Sequence, residues 1–147
     1  MTDTLEARIG RLEDLEEIRV LLIAYGRSLD QHDLVAYSQL FARDGEWHGG
    51  LGSAKTPAGI LAMLEKAFSN MTPGLYRTPH HIMSNFDITL DGDSATAHSR
   101  WEWIVGDGEG APTVMRAGHY DDELVREDKR WRFQRRRAVT ELQGQPK

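Results

Sequence analysis

The stretch HHIMSNFDITLDGDSATAHSRWEWIV, residues 80–105, decides how this chain folds. It reads as two strands at 80–90 and 95–105, joined by the turn Asp91-Gly92-Asp93. In the second strand Ala95, Ala97, Trp101, Trp103 and Val105 fall on one face. In the first, His81, Met83 and Asn85 share one parity and Ile82, Phe86, Ile88 and Leu90 the other. A bulge between Ser84 and Ile88 would reset that alternation. Two more period-two runs follow, at 113–126 and 131–139, set off by the glycine-rich 106–110 and by Glu127-Asp128-Lys129. Four strands in a row with short turns predict an antiparallel meander.

Upstream the period changes to that of a helix. Leu5, Ile9, Leu12, Leu15, Ile18, Leu22, Tyr25 and Leu29 recur at steps of three or four and predict one long helix over the first thirty residues, with Asp3 and Glu6 as a capping box. A second helix is expected from an Asp33 N-cap through Leu34, Tyr37, Leu40 and Phe41, stopping at Asp44-Gly45. Thr56-Pro57 starts a third, whose apolar face is Ile60, Leu61, Leu64 and Phe68. A short strand at Glu46-Trp47-His48 is expected on the sheet's edge. Helices first and strands afterwards, without alternation, predict an α+β fold in which three N-terminal helices pack on a curved antiparallel sheet, as one domain over 1–147.

Composition narrows the chemistry. The 147 residues, 39% of them hydrophobic, suffice for one packed core. Cysteine is absent, which removes disulfides, thiol nucleophiles and zinc–thiolate sites. No apolar run has the roughly 20 residues of a membrane helix and the first residues lack a signal pattern, so a cytoplasmic location without membrane partners is expected. The formal charge of −5 argues against a nucleic-acid partner. Charge is uneven: residues 126–137 carry seven basic and two acidic side chains, so the remainder is strongly acidic, a pattern that favours self-association into a dimer or trimer. The 106–110 loop lacks the residues of a phosphate loop or a dinucleotide fingerprint, and no Gly-x-Ser-x-Gly elbow occurs; no cofactor is implied.

His and Asp therefore carry the candidate chemistry. Asp33 is better placed than Asp30 to cap the second helix, which leaves Asp30 without a structural task. Of the adjacent His80 and His81, strand alternation sends one ring to each face. His119 alternates with Met115 and Ala117. Arg135 shares parity with Trp131 and Phe133 and could offer a cation to an anionic substrate, but Arg132, Arg135, Arg136 and Arg137 together read first as a solvated strand or an oligomer edge paired with the acidic helix face. Asp30, His81 and His119 have the ligand types of a metal site but none of its local spacings, so no metal is expected.

Ile18-Arg19, Tyr25, Leu29-Asp30, Asp33, Leu40-Phe41, Asp44-Gly45 and Trp47, then His81-Ile82-Met83-Ser84-Asn85, Asp91-Gly92-Asp93, Gly118-His119-Tyr120 and Trp131-Arg132-Phe133 together resemble the SnoaL-like family of the nuclear transport factor two-like superfamily. The resemblance implies a cone-shaped α+β barrel. Within that family the chain is most similar to scytalone dehydratase-like lyases, whose working pair falls on Asp30 and His81 and whose second histidine corresponds to His119; Leu29 stands where those enzymes have a tyrosine. This similarity implies a cofactor-independent lyase or isomerase, dehydratase-like, acting on a small apolar cyclic molecule by general acid–base catalysis. The expected pocket lining is Tyr25, Trp47, Met83, Asn85, Trp101, Trp103, Met115 and Arg135. The alternatives within the same resemblance are a non-catalytic subunit like the small subunits of ring-hydroxylating dioxygenases, and a polyketide-cyclase-like enzyme.

Overall fold

A computed structural model describes residues 3–144. The chain runs α1 (Leu5–Asp30), α2 (Leu34–Ser38), β1 (Phe41–Gly49), β2 (Gly52–Lys55), α3 (Thr56–Ser69), β3 (Arg77–Asp91), β4 (Ser94–Gly106), β5 (Pro112–Glu127) and β6 (Arg130–Gln143). The strands form one sheet in the order β2-β1-β6-β5-β4-β3, antiparallel throughout except for the parallel pairing of β1 with β6. This is the α+β arrangement that the order of helical and strand periodicities predicts. No helix among the described residues is long and apolar enough to cross a membrane.

The departures at the ends of these elements have identifiable causes. Thr4, not Asp3, caps α1, its hydroxyl accepting the Ala7 N–H at 3.1 Å. Asp33 caps α2 as expected, accepting from Ala36 N–H at 3.0 Å, but the helix ends at Ser38. Leu40 and Phe41 leave it because the Leu40 carbonyl accepts the Phe133 N–H at 2.9 Å and draws the chain into the sheet. Asp44-Gly45 then makes a bulge inside β1 instead of a turn: a Cβ on Gly45 would sit 2.8 Å from the Phe133 carbonyl oxygen. So β1 is an interior strand, and the edge is β2, whose Gly-Ser-Ala-Lys carries no hydrophobic alternation to announce it.

Bulges set which residues face the helices. The ladder of β3 and β4 slips between Ser84 and Asp87, where Asn85 takes φ +53°, and Ile88 and Leu90 thereby join His81 and Met83 on the inner face. That inner face packs Ala95, Ala97, Trp101, Tyr120, Leu124, Trp131 and Phe133 against Ile18, Leu22 and Tyr25 of α1 and Ile60 and Leu64 of α3. Each of the leucines, isoleucines and Phe133 contributes about 1.5–3 kcal/mol when fully buried. By helical rise α1 is about 39 Å long. Burial begins at Ile18, while Leu5, Ile9 and Leu12, expected on the core stripe, remain 69%, 46% and 66% exposed.

A charge sits in the middle of this core. A further slip, between Glu123 and Leu124, puts Gln134 out of the β5–β6 ladder and turns Arg136 inward in place of Arg135. The Arg136 side chain is fully buried, its Nε and Nη2 each donating at 2.7 Å to the two oxygens of the equally buried Asp122. The guanidinium lies 4.1 Å from the Tyr25 ring centroid, 3.9 Å from Tyr120 and 4.2 Å from Phe133. Burial alone would depress the Arg136 pKa, but the Asp122 carboxylate outweighs it and holds the guanidinium above its ordinary value. Burial also raises the phenols of Tyr25 and Tyr120, so both rings stay neutral and the counter-charge comes from Asp122.

Removing one partner of such a pair strands the other charge. Asp122→Ala is expected to lose about 3–5 kcal/mol in urea unfolding, and the double replacement Asp122→Leu with Arg136→Met to recover most of it. A single replacement that costs no more than an exposed ion pair would show that the buried charges are not coupled.

Candidate functional site

Asp30 is the last residue of α1 and His81 faces it from β3. One carboxylate oxygen of Asp30 accepts the backbone N–H of His81 at 2.8 Å, and the other lies 2.5 Å from His81 Nδ1. The carboxylate thus grips both the main chain and the ring of one residue, fixing the imidazole against rotation. With Nδ1 donating to Asp30, the tautomer this network assigns, Nε2 carries a lone pair. No hydrogen-bond partner for Nε2 occurs among the described residues. The His81 and Asp30 side chains are 15% and 20% exposed, sheltered yet reachable.

The close approach of helix and strand has a sequence cause in Gly26. One helical turn before Asp30, it faces the His81 side chain, and a Cβ there would fall 2.8 Å from His81 Cβ. Any larger residue would push α1 off β3 and open the Asp30–His81 bond.

The remaining expected residues divide three ways. Met83 and Trp103 adjoin His81 on the inner face: Trp103 pairs with His81 across β3 and β4, the two rings 6.1 Å apart, and Met83 pairs with Trp101 one step inward. Tyr25, Trp47, Trp101 and Met115 are packed core, 2%, 5%, 7% and 6% exposed, with the Trp47 indole donating to the Tyr25 hydroxyl at 2.9 Å. His119, Asn85 and Arg135 lie away from the pair. His119 shares the outer face with His98, their rings 5.1 Å apart, and its Nδ1 bonds to Glu141 while Asp121 lies 3.4 Å from its Nε2. The slip that takes Met115 out of step with the β4 ladder, between Trp103 and Ile104, breaks the parity that had linked it to His119. Asn85 is the exposed residue of the β3 bulge, and Arg135 is an exposed outer-face partner of Glu123.

Sequence reasoning passed over two groups. Asp122 carried a signal, a carboxylate in step with the core residues Tyr120 and Leu124. Arg116 carried the same signal, in step with Tyr120 and Asp122, and it pairs with Trp103, its guanidinium 5.5 Å from the indole centroid. Among the described residues no group of three His, Asp or Glu is arranged to hold a metal ion.

Residues 10–137 match the SnoaL-like domain family. Among solved structures, the chain is similar to an NTF2-like protein with a cystatin-like fold from Novosphingobium aromaticivorans, at 31% identity over 93% of this chain and 90% of that one, with a TM-score of 0.79. LinA superposes with a TM-score of 0.77 at 20% identity, over 92% and 90% of the two chains. A protein from N. aromaticivorans proposed as a scytalone dehydratase does so at 0.73 and 23%, over 90% and 87%. At these last two identities the likeness is one of fold. No curated protein matches the chain.

Gly26→Ala tests the packing that holds the pair. Overpacking at this contact is expected to cost about 1–3 kcal/mol, outweighing the helix-propensity gain of alanine, and to shift the His81 ring resonances in NMR. A more stable protein with unshifted resonances would contradict the close approach.

Proposed function

The chain belongs to the SnoaL-like family, and we propose that this member is an acid–base enzyme, a cofactor-independent lyase or isomerase acting on a small, largely apolar cyclic molecule. The observation that supports it is the Asp30–His81 pair, with a ring locked by a carboxylate and one nitrogen left unpartnered.

In this reading His81 Nε2 takes a proton from the carbon next to a carbonyl. The C–H electron pair moves to the carbonyl oxygen as an enolate, and Asp30 stabilises the imidazolium that results. The enolate then collapses, forming the carbon–carbon double bond and expelling hydroxide from the neighbouring carbon. The imidazolium protonates the departing oxygen, so that water leaves and His81 regains its starting form. An isomerase would return the same proton to a different carbon. His81 serves as both base and acid here, since His119 stands on the other face of the sheet. Acid–base transfer of this kind supplies about 10²- to 10⁴-fold, with the rest coming from positioning.

Cyclohexanone, 1-tetralone and related cyclic ketones in D2O provide a test that does not require the natural substrate. The protein is expected to accelerate deuterium entry at the carbon beside the carbonyl, and His81→Ala and Asp30→Asn to lower that rate by about 10²- to 10⁴-fold while retaining the circular dichroism of the parent. No exchange with any ketone, or undiminished exchange in both variants, would remove the mechanism.

The same reading includes self-association. Leu5, Leu12 and Val20 on α1 and Leu142 at the end of β6 are more than half exposed, more apolar side chain than a solvated surface needs. Light scattering is expected to give two or three times the 16.7 kDa of one chain; a single-chain mass would refute it.

A further inference from the structure

His81, Trp103 and Arg116 are consecutive partners across β3, β4 and β5, one cross-strand row on the inner face. With strands spaced about 4.8 Å apart, the backbones of His81 and Arg116 stand about 10 Å from each other, the span of a small ring with one substituent. Along that row two donors are buried without an acceptor, Trp103 Nε1 and Arg116 Nε. Arg116 forms no ion pair with any described residue, and its guanidinium lies over the face of Trp103. Arg136 differs in its charge partner: its Nη1 is likewise buried without an acceptor, but an internal carboxylate meets its Nε and Nη2. Buried donors, and those of a charged group above all, are ordinarily satisfied. Here the protein supplies no acceptor.

We propose that Arg116 and the Trp103 indole N–H form an anion subsite, and that the substrate is a small cyclic hydroxy or oxo acid whose carboxylate binds there while its reacting C–H faces His81. This rests on the acid–base reading of the same site and specifies its substrate class. A carboxylate fits because it brings a full negative charge to a half-buried cation in the ground state and has two oxygens, one for the guanidinium and one for the indole N–H. The Trp103 ring, lying between the two ends of the row and flanked by Tyr76 at 4.6 Å, offers an apolar floor for the ring of the ligand.

Calorimetric titration of the full chain with two matched pairs tests this: cyclohex-1-ene-1-carboxylate against its primary amide, and benzoate against benzamide. The acids are expected to bind about tenfold more tightly than the amides, as hydrogen bonds to a charged group imply. Arg116→Gln should erase that ratio, Arg116→Lys retain most of it, and Trp103→Phe, which keeps an aromatic ring but loses the N–H, reduce it severalfold, with thermal unfolding monitored for each. An acid preference that survives Arg116→Gln in a folded protein, amides that bind as well as acids, or no binding by any of the four overturns the subsite. The preference should persist in Asp30→Asn. If it persists while the parent protein shows no deuterium exchange, the acid–base mechanism falls and the anion subsite stands.

Discussion

The Arg136–Asp122 pair is the constraint on which the rest of the molecule is arranged. Two opposite charges with no solvent contact lie between β5 and β6, and the aromatic rings that shield them come from both sides of the layer interface: Tyr120 and Phe133 from the sheet, Tyr25 from α1. A buried guanidinium without its carboxylate or its rings would be costly, so α1 is held where Tyr25 covers the cation. The hydroxyl of the same tyrosine accepts from Trp47, which fastens β1 to that point. Asp30 lies five residues beyond Tyr25 on the same rigid helix, so the register that protects the charge also sets how far Asp30 reaches toward β3.

Two close approaches complete that reach. Gly26 lets α1 settle onto the Cβ of His81, and the Asp30 carboxylate then bonds to both the backbone and the ring of that residue. Farther toward the start of the helix, Asp14 ties α1 to the opposite end of the sheet by accepting from Arg126 at 2.5 Å and from the Trp131 indole at 3.0 Å. Burial opposes ionisation of Asp14, but these bonds and the Arg126 charge outweigh it and lower its pKa, so this clamp is present at neutral pH and weakens only in acid. The helix is thereby fixed near its middle and at its C-terminal end, and the His81 ring is held in place.

The outer face of the sheet is polar in a different way. His98, His119, Asp121, Glu141, Arg100 and Arg137 form a network of hydrogen bonds and ion pairs across β4, β5 and β6. His119 is satisfied there by two carboxylates, so its distance from His81 follows from ordinary pairing on the surface it occupies. The inner face follows the opposite rule, since Arg116 and Trp103 keep buried donors that no residue meets.

How far the sequence alone reaches depends on the range of the interactions involved. Helical and strand periods, the Asp33 cap, the turns at Gly92 and Asp128-Lys129, and the place between Ser84 and Ile88 where a bulge could reset the alternation are local, and each was legible in neighbouring residues. Asp30 and His81 stood out one at a time, Asp30 through a missing structural role and His81 through resemblance. Their bond, made 51 positions apart, depends on the close approach of helix and strand that Gly26 allows. What parity misjudged was decided by strand pairing. A single extra residue in a ladder moves every side chain after it to the other face, so the slip at Glu123 placed Arg136 inside and left Arg135 outside, whereas plain alternation with Tyr120 and Leu124 puts Arg116 inside and His119 outside. Alternation is written in one strand, but the point at which it breaks is set by the strand beside it.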